Sequence, residues 1–122
     1  MLMRSAGDLH AATEAAFNRS DVDGLVALYA DDACLVELGG GVARGSDDIR
    51  RVWSDFVNLG GRISMTTRYC LEQGDVALLS NTWRFTSEVM SFDSASTEVA
   101  VRGPDGSWRY LIDNPTGGMS TE

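Results

Sequence analysis

The chain reads as an α+β protein, with helices first and a long antiparallel meander after them. Up to residue 59 the apolar residues recur three or four positions apart, the spacing of amphipathic helices. Beyond Gly60-Gly61 they alternate, the period of half-buried strands. Turn signals at Gln73-Gly74-Asp75 and Gly103-Pro104-Asp105-Gly106 cut the alternating part into hairpins. Helices segregated from an antiparallel sheet define the class.

The first helix covers residues 4 to 18. Leu9, Thr13, Ala16 and Phe17 form its inward stripe, and Ala11, Ala12, Ala15 and Ala16 favour helix by propensity. Asn18-Arg19-Ser20 joins it to a second helix over 21 to 30. Asp21 is the N-cap there, its carboxylate suited to the positive end of the helix dipole. Residues 34 to 38 make a strand that ends at Gly39-Gly40-Gly41, with a short pairing segment at Val42-Ala43-Arg44. The third helix runs from 46 to 59. Ser46 caps it, Asp47 and Asp48 fill its first turn, and Ile49, Val52, Trp53 and Phe56 face inward.

Strands follow at 62 to 73 and 76 to 87. Pairing Glu72 with Val76 sets Ile63, Met65, Thr67, Tyr69 and Leu71 opposite Phe85, Trp83, Asn81, Leu79 and Ala77. That register gathers the apolar residues on one face, and a one-residue slip would scatter them. Residues 87 to 94 read as a loop or a continued edge. The last hairpin pairs 95 to 103 with 107 to 113, and the tail 116 to 122 should fray.

The 122 residues allow one domain, 1 to 122, with a real core. A net charge of −8 without a basic stripe argues against nucleic acid and against anionic membrane surfaces. No apolar run approaches the roughly 18 residues of a membrane span. Asp8, His10 and Glu14 interrupt the N-terminus where a signal peptide would be apolar. Cys34 and Cys70 lack metal-ligand spacing and read as two buried, reduced thiols. The expectation is a cytoplasmic protein with no metal and no cofactor.

One stretch carries a resemblance. Asp21-Val22-Asp23-Gly24 leads into Leu28-Tyr29-Ala30-Asp31-Asp32-Ala33, and Gly45-Ser46-Asp47-Asp48-Ile49-Arg50 follows after a strand and loop. This resembles the ketosteroid isomerases and the wider SnoaL-like group of the NTF2-like superfamily. The resemblance is good from about residue 9 to 56; beyond that it rests on the order of elements and a few positions. It implies the NTF2-like, or cystatin-like, cone. Three N-terminal helices would pack on a curved mixed or antiparallel sheet and enclose a pocket open at one end.

The resemblance also implies roles. The isomerases' general base, a carboxylate at the end of the first strand, falls on Glu37. Their oxyanion-binding acid falls on Glu98, and Trp53, Asn81, Trp83 and Leu111 fall on pocket positions. A carboxylate in an apolar cleft has a raised pKa and can shuttle a proton between carbons. The oxyanion-hole tyrosine falls on Thr13, a poorer donor, which makes authentic steroid isomerase activity a poor fit. Tyr29 reads as core.

In the last hairpin, pairing Arg102 with Ser107 puts Glu98, Ala100, Arg109, Leu111 and Asp113 on one face. Val99, Val101, Trp108, Tyr110 and Ile112 share the other. Hydrophobicity alone sends the second set inward; the resemblance sends the first. The resemblance is followed here. Glu37, Asn81, Glu98 and Asp113 then line a pocket walled by Trp53, Met65, Trp83 and Leu111, and the Val99–Tyr110 face becomes a homodimer interface. Thr67 and Asn81 oppose each other on an apolar face. Either they meet a ligand or water, or they bond each other or the backbone. Glu37 has a plain alternative as a solvated loop-edge acid. His10 is a surface histidine or, less readily, a base at the pocket mouth.

Three functions fit. One is cofactor-free proton transfer next to a carbonyl, as an isomerase or related lyase or hydrolase, with Glu37 as base and Glu98 or Asp113 as its partner. The alternative is a binding or accessory protein that holds a small apolar molecule without turnover. The third is a pure dimerisation module.

Overall fold

The computed structural model describes residues 3–118. The elements are α1 (Asp8–Asn18), α2 (Val22–Val26), β1 (Tyr29–Val36), β2 (Val42–Arg44), α3 (Ser46–Val57), β3 (Arg62–Gln73), β4 (Val76–Thr86), β5 (Ser91–Ala95), β6 (Thr97–Arg102) and β7 (Trp108–Asn114). Three helices lie against one curved, open sheet ordered β2-β1-β7-β6-β4-β3, with β5 also paired to β4. The meander from β3 to β7 is antiparallel, but β1 joins β7 in parallel, so the sheet is mixed.

Local chemistry accounts for the helix starts. Asp21 accepts a hydrogen bond from Gly24 N at 2.9 Å and caps α2. A Cβ at residue 24 would press on that carboxylate, so glycine leaves the cap undisturbed. α3 begins after Gly45, whose φ of +82° suits glycine alone. Gly45, not Ser46, holds the cap position. Asp48 accepts from the Arg44 amide at 3.2 Å, so its charge sits at the favourable end of the helix.

The core forms where α1 and α3 meet the concave face. Phe17 of α1 packs on Trp53, Phe56 and Phe85 with ring centroids 5.9, 5.0 and 6.5 Å away. Each such pair adds about 0.5–1.5 kcal/mol beyond the burial itself. The Phe85 ring lies directly over Gly61, where any side chain would collide with it.

Three differences from the sequence reading have physical causes. The second helix stops at Val26 and a strand begins at Tyr29, because Tyr110 N bonds Leu28 O at 2.8 Å and pulls the segment into the sheet. Sheet pairing overrides the local helical spacing. The β3–β4 register runs as predicted from Ile63–Phe85 to Thr67–Asn81, then a bulge at Arg68 shifts it by one. Tyr69 and Leu71 consequently turn outward, 43% and 63% exposed, and Cys70 is exposed rather than buried.

The third difference matters most. Glu98 pairs with Asp113, not Leu111, and a bulge at Leu111 lies between Tyr110 and Ile112. Trp108 and Tyr110 therefore point into the core together with Glu98 and Asp113. Leu111 is half-buried outside the pocket, and Ile112 faces solvent. The expected interface of Val99, Val101, Trp108 and Tyr110 loses its two aromatic members to the interior.

Residues 91–95, ambiguous in sequence, are a strand on the flank of β4. Residues 115–118 form a turn, with Gly118 N on Ala95 O at 2.9 Å, in the first part of the tail expected to fray. Residues 119–122 lie outside the described residues. Among the described residues, no helix is long and apolar enough to cross a membrane.

Candidate functional site

The concave face, α1 and α3 enclose a pocket of ≈ 290 Å³. Trp53, Phe56, Ile63, Met65 and Trp83 wall it with apolar surface. Its buried polar part is built by Thr13, Asn81, Ser96, Glu98, Tyr110 and Asp113. Such a layout, apolar walls around a few placed polar groups, is that of a small-molecule site.

Asp113 is 7% exposed. One carboxyl oxygen, Oδ2, accepts from the Tyr29 hydroxyl at 2.5 Å, and that hydroxyl accepts from Trp53 Nε1 at 3.2 Å. The other oxygen has no protein partner among the described residues. Burial, and then the charge of Glu98 across the strand pair, push the Asp113 carboxyl up from 3.8 to about 8; the Tyr29 bond opposes this. Asp113 is thus a mainly neutral acid at pH 7. Burial likewise drives the Tyr29 and Tyr110 phenols well above their usual value, so both stay protonated.

Glu98 is handled differently. It is 3% exposed, yet both its oxygens have donors. Oε1 meets His10 Nε2 at 3.0 Å and Oε2 accepts from Asn81 Nδ2 at 3.0 Å. Asn81 is positioned in turn by Ser96, whose hydroxyl accepts from Asn81 N and Nδ2 at 3.0 and 2.8 Å. Ser96 is the single residue between β5 and β6. Asn81 Oδ1 is buried with no partner among the described residues, an acceptor still to be satisfied.

Thr13 donates its hydroxyl hydrogen to Leu9 O at 2.8 Å. It must then accept from Tyr110, whose hydroxyl lies 2.9 Å away. Both buried tyrosine protons are therefore committed to protein acceptors. Glu37 stands apart from this cluster. It lines the pocket but its side chain is 27% exposed and pairs with Arg51 at 3.1 Å.

The pocket brings together Thr13, Glu37, Trp53, Met65, Asn81, Trp83, Glu98 and Asp113 from the sequence-selected residues. Leu111 and Thr67 are not part of its wall. Thr67 is exposed and bonds His10 Nδ1 at 2.7 Å. His10 is no surface residue: it is 2% exposed. Sequence reasoning missed Tyr29 and Tyr110 as members of the polar cluster, and carried His10 only as the lesser alternative of a base at the pocket mouth. The available signal for His10 was its place one turn before Thr13 on the inward stripe. Among the described residues, no cluster of three His, Cys, Asp or Glu side chains could hold a metal ion.

This fold and this buried acid pair define a small α+β pocket protein, and known proteins place it further. The SnoaL-like domain family matches residues 10–113, so the chain belongs to the SnoaL-like domain family. No curated protein sequence matches it. Among solved structures it resembles an NTF2-like protein of unknown function from Shewanella oneidensis, with TM-score 0.77 and 18% identity, over 88% of this chain and 93% of that one. A domain with a cystatin-like fold from Nostoc punctiforme gives 0.78 and 19%, over 93% and 75%. A ketosteroid isomerase-like protein from Erwinia carotovora atroseptica gives 0.72 and 21%, over 88% and 89%. At such identities the likeness speaks for the fold.

Proposed function

We propose that the protein is a small-molecule enzyme that moves a proton next to a carbonyl without a cofactor, with Asp113 as the acid and Glu98 as the base. One observation carries this: Asp113 and Glu98 are buried cross-strand partners that line one apolar pocket, where burial and the neighbouring Glu98 raise the Asp113 carboxyl to about 8. Environments that push two neighbouring carboxyls apart are how acid and base roles are divided. The unpartnered Asp113 oxygen would give its hydrogen to the carbonyl oxygen of the ligand. Glu98 would take a hydrogen from the adjacent carbon. Glu37, salt-bridged to Arg51, is assigned to the pocket rim rather than to the chemistry.

The pocket of ≈ 290 Å³ lies just below the ~300–1,000 Å³ range of drug-sized sites, so the ligand is compact and largely apolar. The test is deuterium uptake beside the carbonyl of small cyclic ketones in heavy water, followed by NMR. Asp113→Asn should slow uptake by about 10²–10⁴-fold. Uptake equal to the uncatalysed rate in the wild type overturns the reading.

A second reading, a binding protein without turnover, is favoured by the committed hydroxyls of Tyr29 and Tyr110. Neither can also donate to a developing oxyanion. Ketones that quench Trp53 and Trp83 fluorescence without deuterium uptake would decide for it.

We also propose a homodimer through the outer sheet face. Leu71, Leu78, Val99 and Ile112 are successive cross-strand partners there, and Leu71, Leu78 and Ile112 are 63%, 41% and 43% exposed. A contiguous apolar row on a sheet marks an interaction surface.

A further inference from the structure

Glu98 has its back to the outside of the molecule through two more groups. Its Oε1 lies 3.0 Å from His10 Nε2, and His10 Nδ1 lies 2.7 Å from the Thr67 hydroxyl. Glu98 lines the pocket, His10 is 2% exposed, and Thr67 is exposed on β3. The three side chains therefore run in one hydrogen-bonded file from the pocket, through the wall between α1 and β3, to solvent. Nothing in a purely structural role requires the file to reach the surface. A buried imidazole needs only two partners, and this one uses the hydroxyl of an exposed residue as the second.

We propose that Thr67, His10 and Glu98 form a proton path between bulk water and the pocket, with His10 and Thr67 as positioning and relay residues behind Glu98. The proposal rests on the reading of Glu98 and Asp113 as proton carriers. When a ligand fills the pocket mouth, the acids behind it cannot exchange protons through that opening. The path provides a second way in.

The steps balance. At rest Glu98 is a carboxylate that accepts the Nε2 hydrogen, so Nδ1 is a lone pair that accepts from Thr67. Inward, water gives a proton to the Thr67 oxygen, the Thr67 hydrogen passes to Nδ1, and the Nε2 hydrogen passes to Glu98. The ring is left in its other tautomer, and Glu98 is neutral. Outward, each transfer reverses, and water regains the proton. The imidazole cannot carry two protons the same way in succession without a reset, so transfers alternate: one in, one out. That suits a reaction that consumes no net proton. The groups facing His10 are Thr67 from β3 and Glu98 from β6; behind Glu98 stand Asp113 and Tyr110 from β7 and Asn81 from β4.

The experiment uses the ligand-free protein. The exchange of the His10 ring hydrogen with water is measured by ¹H–¹⁵N NMR in wild type, Thr67→Val and Thr67→Ser. Valine keeps the shape and the β-propensity at this exposed strand position, so the fold should persist. Thr67→Val should slow exchange at least about tenfold, and Thr67→Ser should restore it. Equal exchange in wild type and Thr67→Val overturns the path, because the proton then leaves by another route. An amide spectrum of Thr67→Val that matches wild type outside the neighbours of residue 67 excludes general loosening as the cause of any change. The outcome is separate from the catalytic reading. A failed path leaves the titration of Asp113 near 8 untouched, whereas a wild-type Asp113 that titrates like a free carboxyl sinks the catalytic reading.

Discussion

Glu98 and Asp113 are direct cross-strand partners, and both carboxyls are buried on the same side of the sheet. Like charges placed so close cannot both persist without cost. The protonation of Asp113 should therefore be visible in the stability of the whole domain.

Burial and Glu98 raise the Asp113 carboxyl from 3.8 to about 8. The folded state thus binds this proton more tightly than the unfolded state. Its contribution is fully present below 3.8, declines as pH rises through the window, and is lost above about 8. Wild type should lose thermal stability relative to Asp113→Asn between about pH 5 and about pH 8, since the variant has no proton to give up there. A difference between the two melting temperatures that stays flat across the window contradicts this.

Tyr29→Phe removes the hydroxyl that donates to Asp113 and the acceptor of Trp53 Nε1. Since the Tyr29 bond lowers the Asp113 carboxyl, its loss should move that titration further upward. The orphaned indole should cost about 1–3 kcal/mol in a denaturant titration. An Asp113 carboxyl signal that titrates unchanged in the variant would show that the bond does not form in solution.

His10→Ala takes one of two donors from a carboxylate that is 3% exposed. Leaving a buried acceptor without its donor costs about 1–3 kcal/mol. Glu98→Gln in the same background should recover part of it. A double-mutant cycle that returns no coupling between the two sites would mean that His10 and Glu98 do not interact in the folded protein.

Leu78→Glu places a charge in the middle of the outer apolar row, between its partners Leu71 and Val99. If that row is a subunit interface, wild type sediments as a dimer and the variant as a monomer. A wild type that stays monomeric at high concentration removes the interface.

Much of the fold was legible because periodicity reports it directly. The stripes Leu9–Thr13–Phe17 and Ile49–Trp53 went inward, and the register from Ile63–Phe85 to Thr67–Asn81 held. The site was only half legible, and the last hairpin shows why. Hydrophobicity wanted Trp108 and Tyr110 inside, while the resemblance wanted Glu98 and Asp113 inside. With a regular strand these demands exclude each other. The chain meets both by inserting one residue at Leu111, and a bulge leaves no mark in the alternation except that contradiction. Thr67 lost its place in the pocket for another reason: it faces His10, a partner 57 residues away that no local pattern reveals. The parallel β1–β7 pair is equally non-local, joining segments from opposite ends of the chain.

The inserted Leu111 acts on β7 as a half-period phase shift in a wave of period two. Upstream of it the wave carries Trp108 and Tyr110 to the interior; downstream, it carries Asp113 there instead of Ile112. Were the same seven residues paired without a bulge, Ile112 would reach the cavity and Asp113 would face solvent. Excising Leu111 would do neither: one residue fewer restores strict alternation with Asp113 still inward and its pairing with Glu98 intact. The acid is therefore insulated from the loss of that residue, and what its presence adds is a local kink and stronger twist between the tyrosine and the acid.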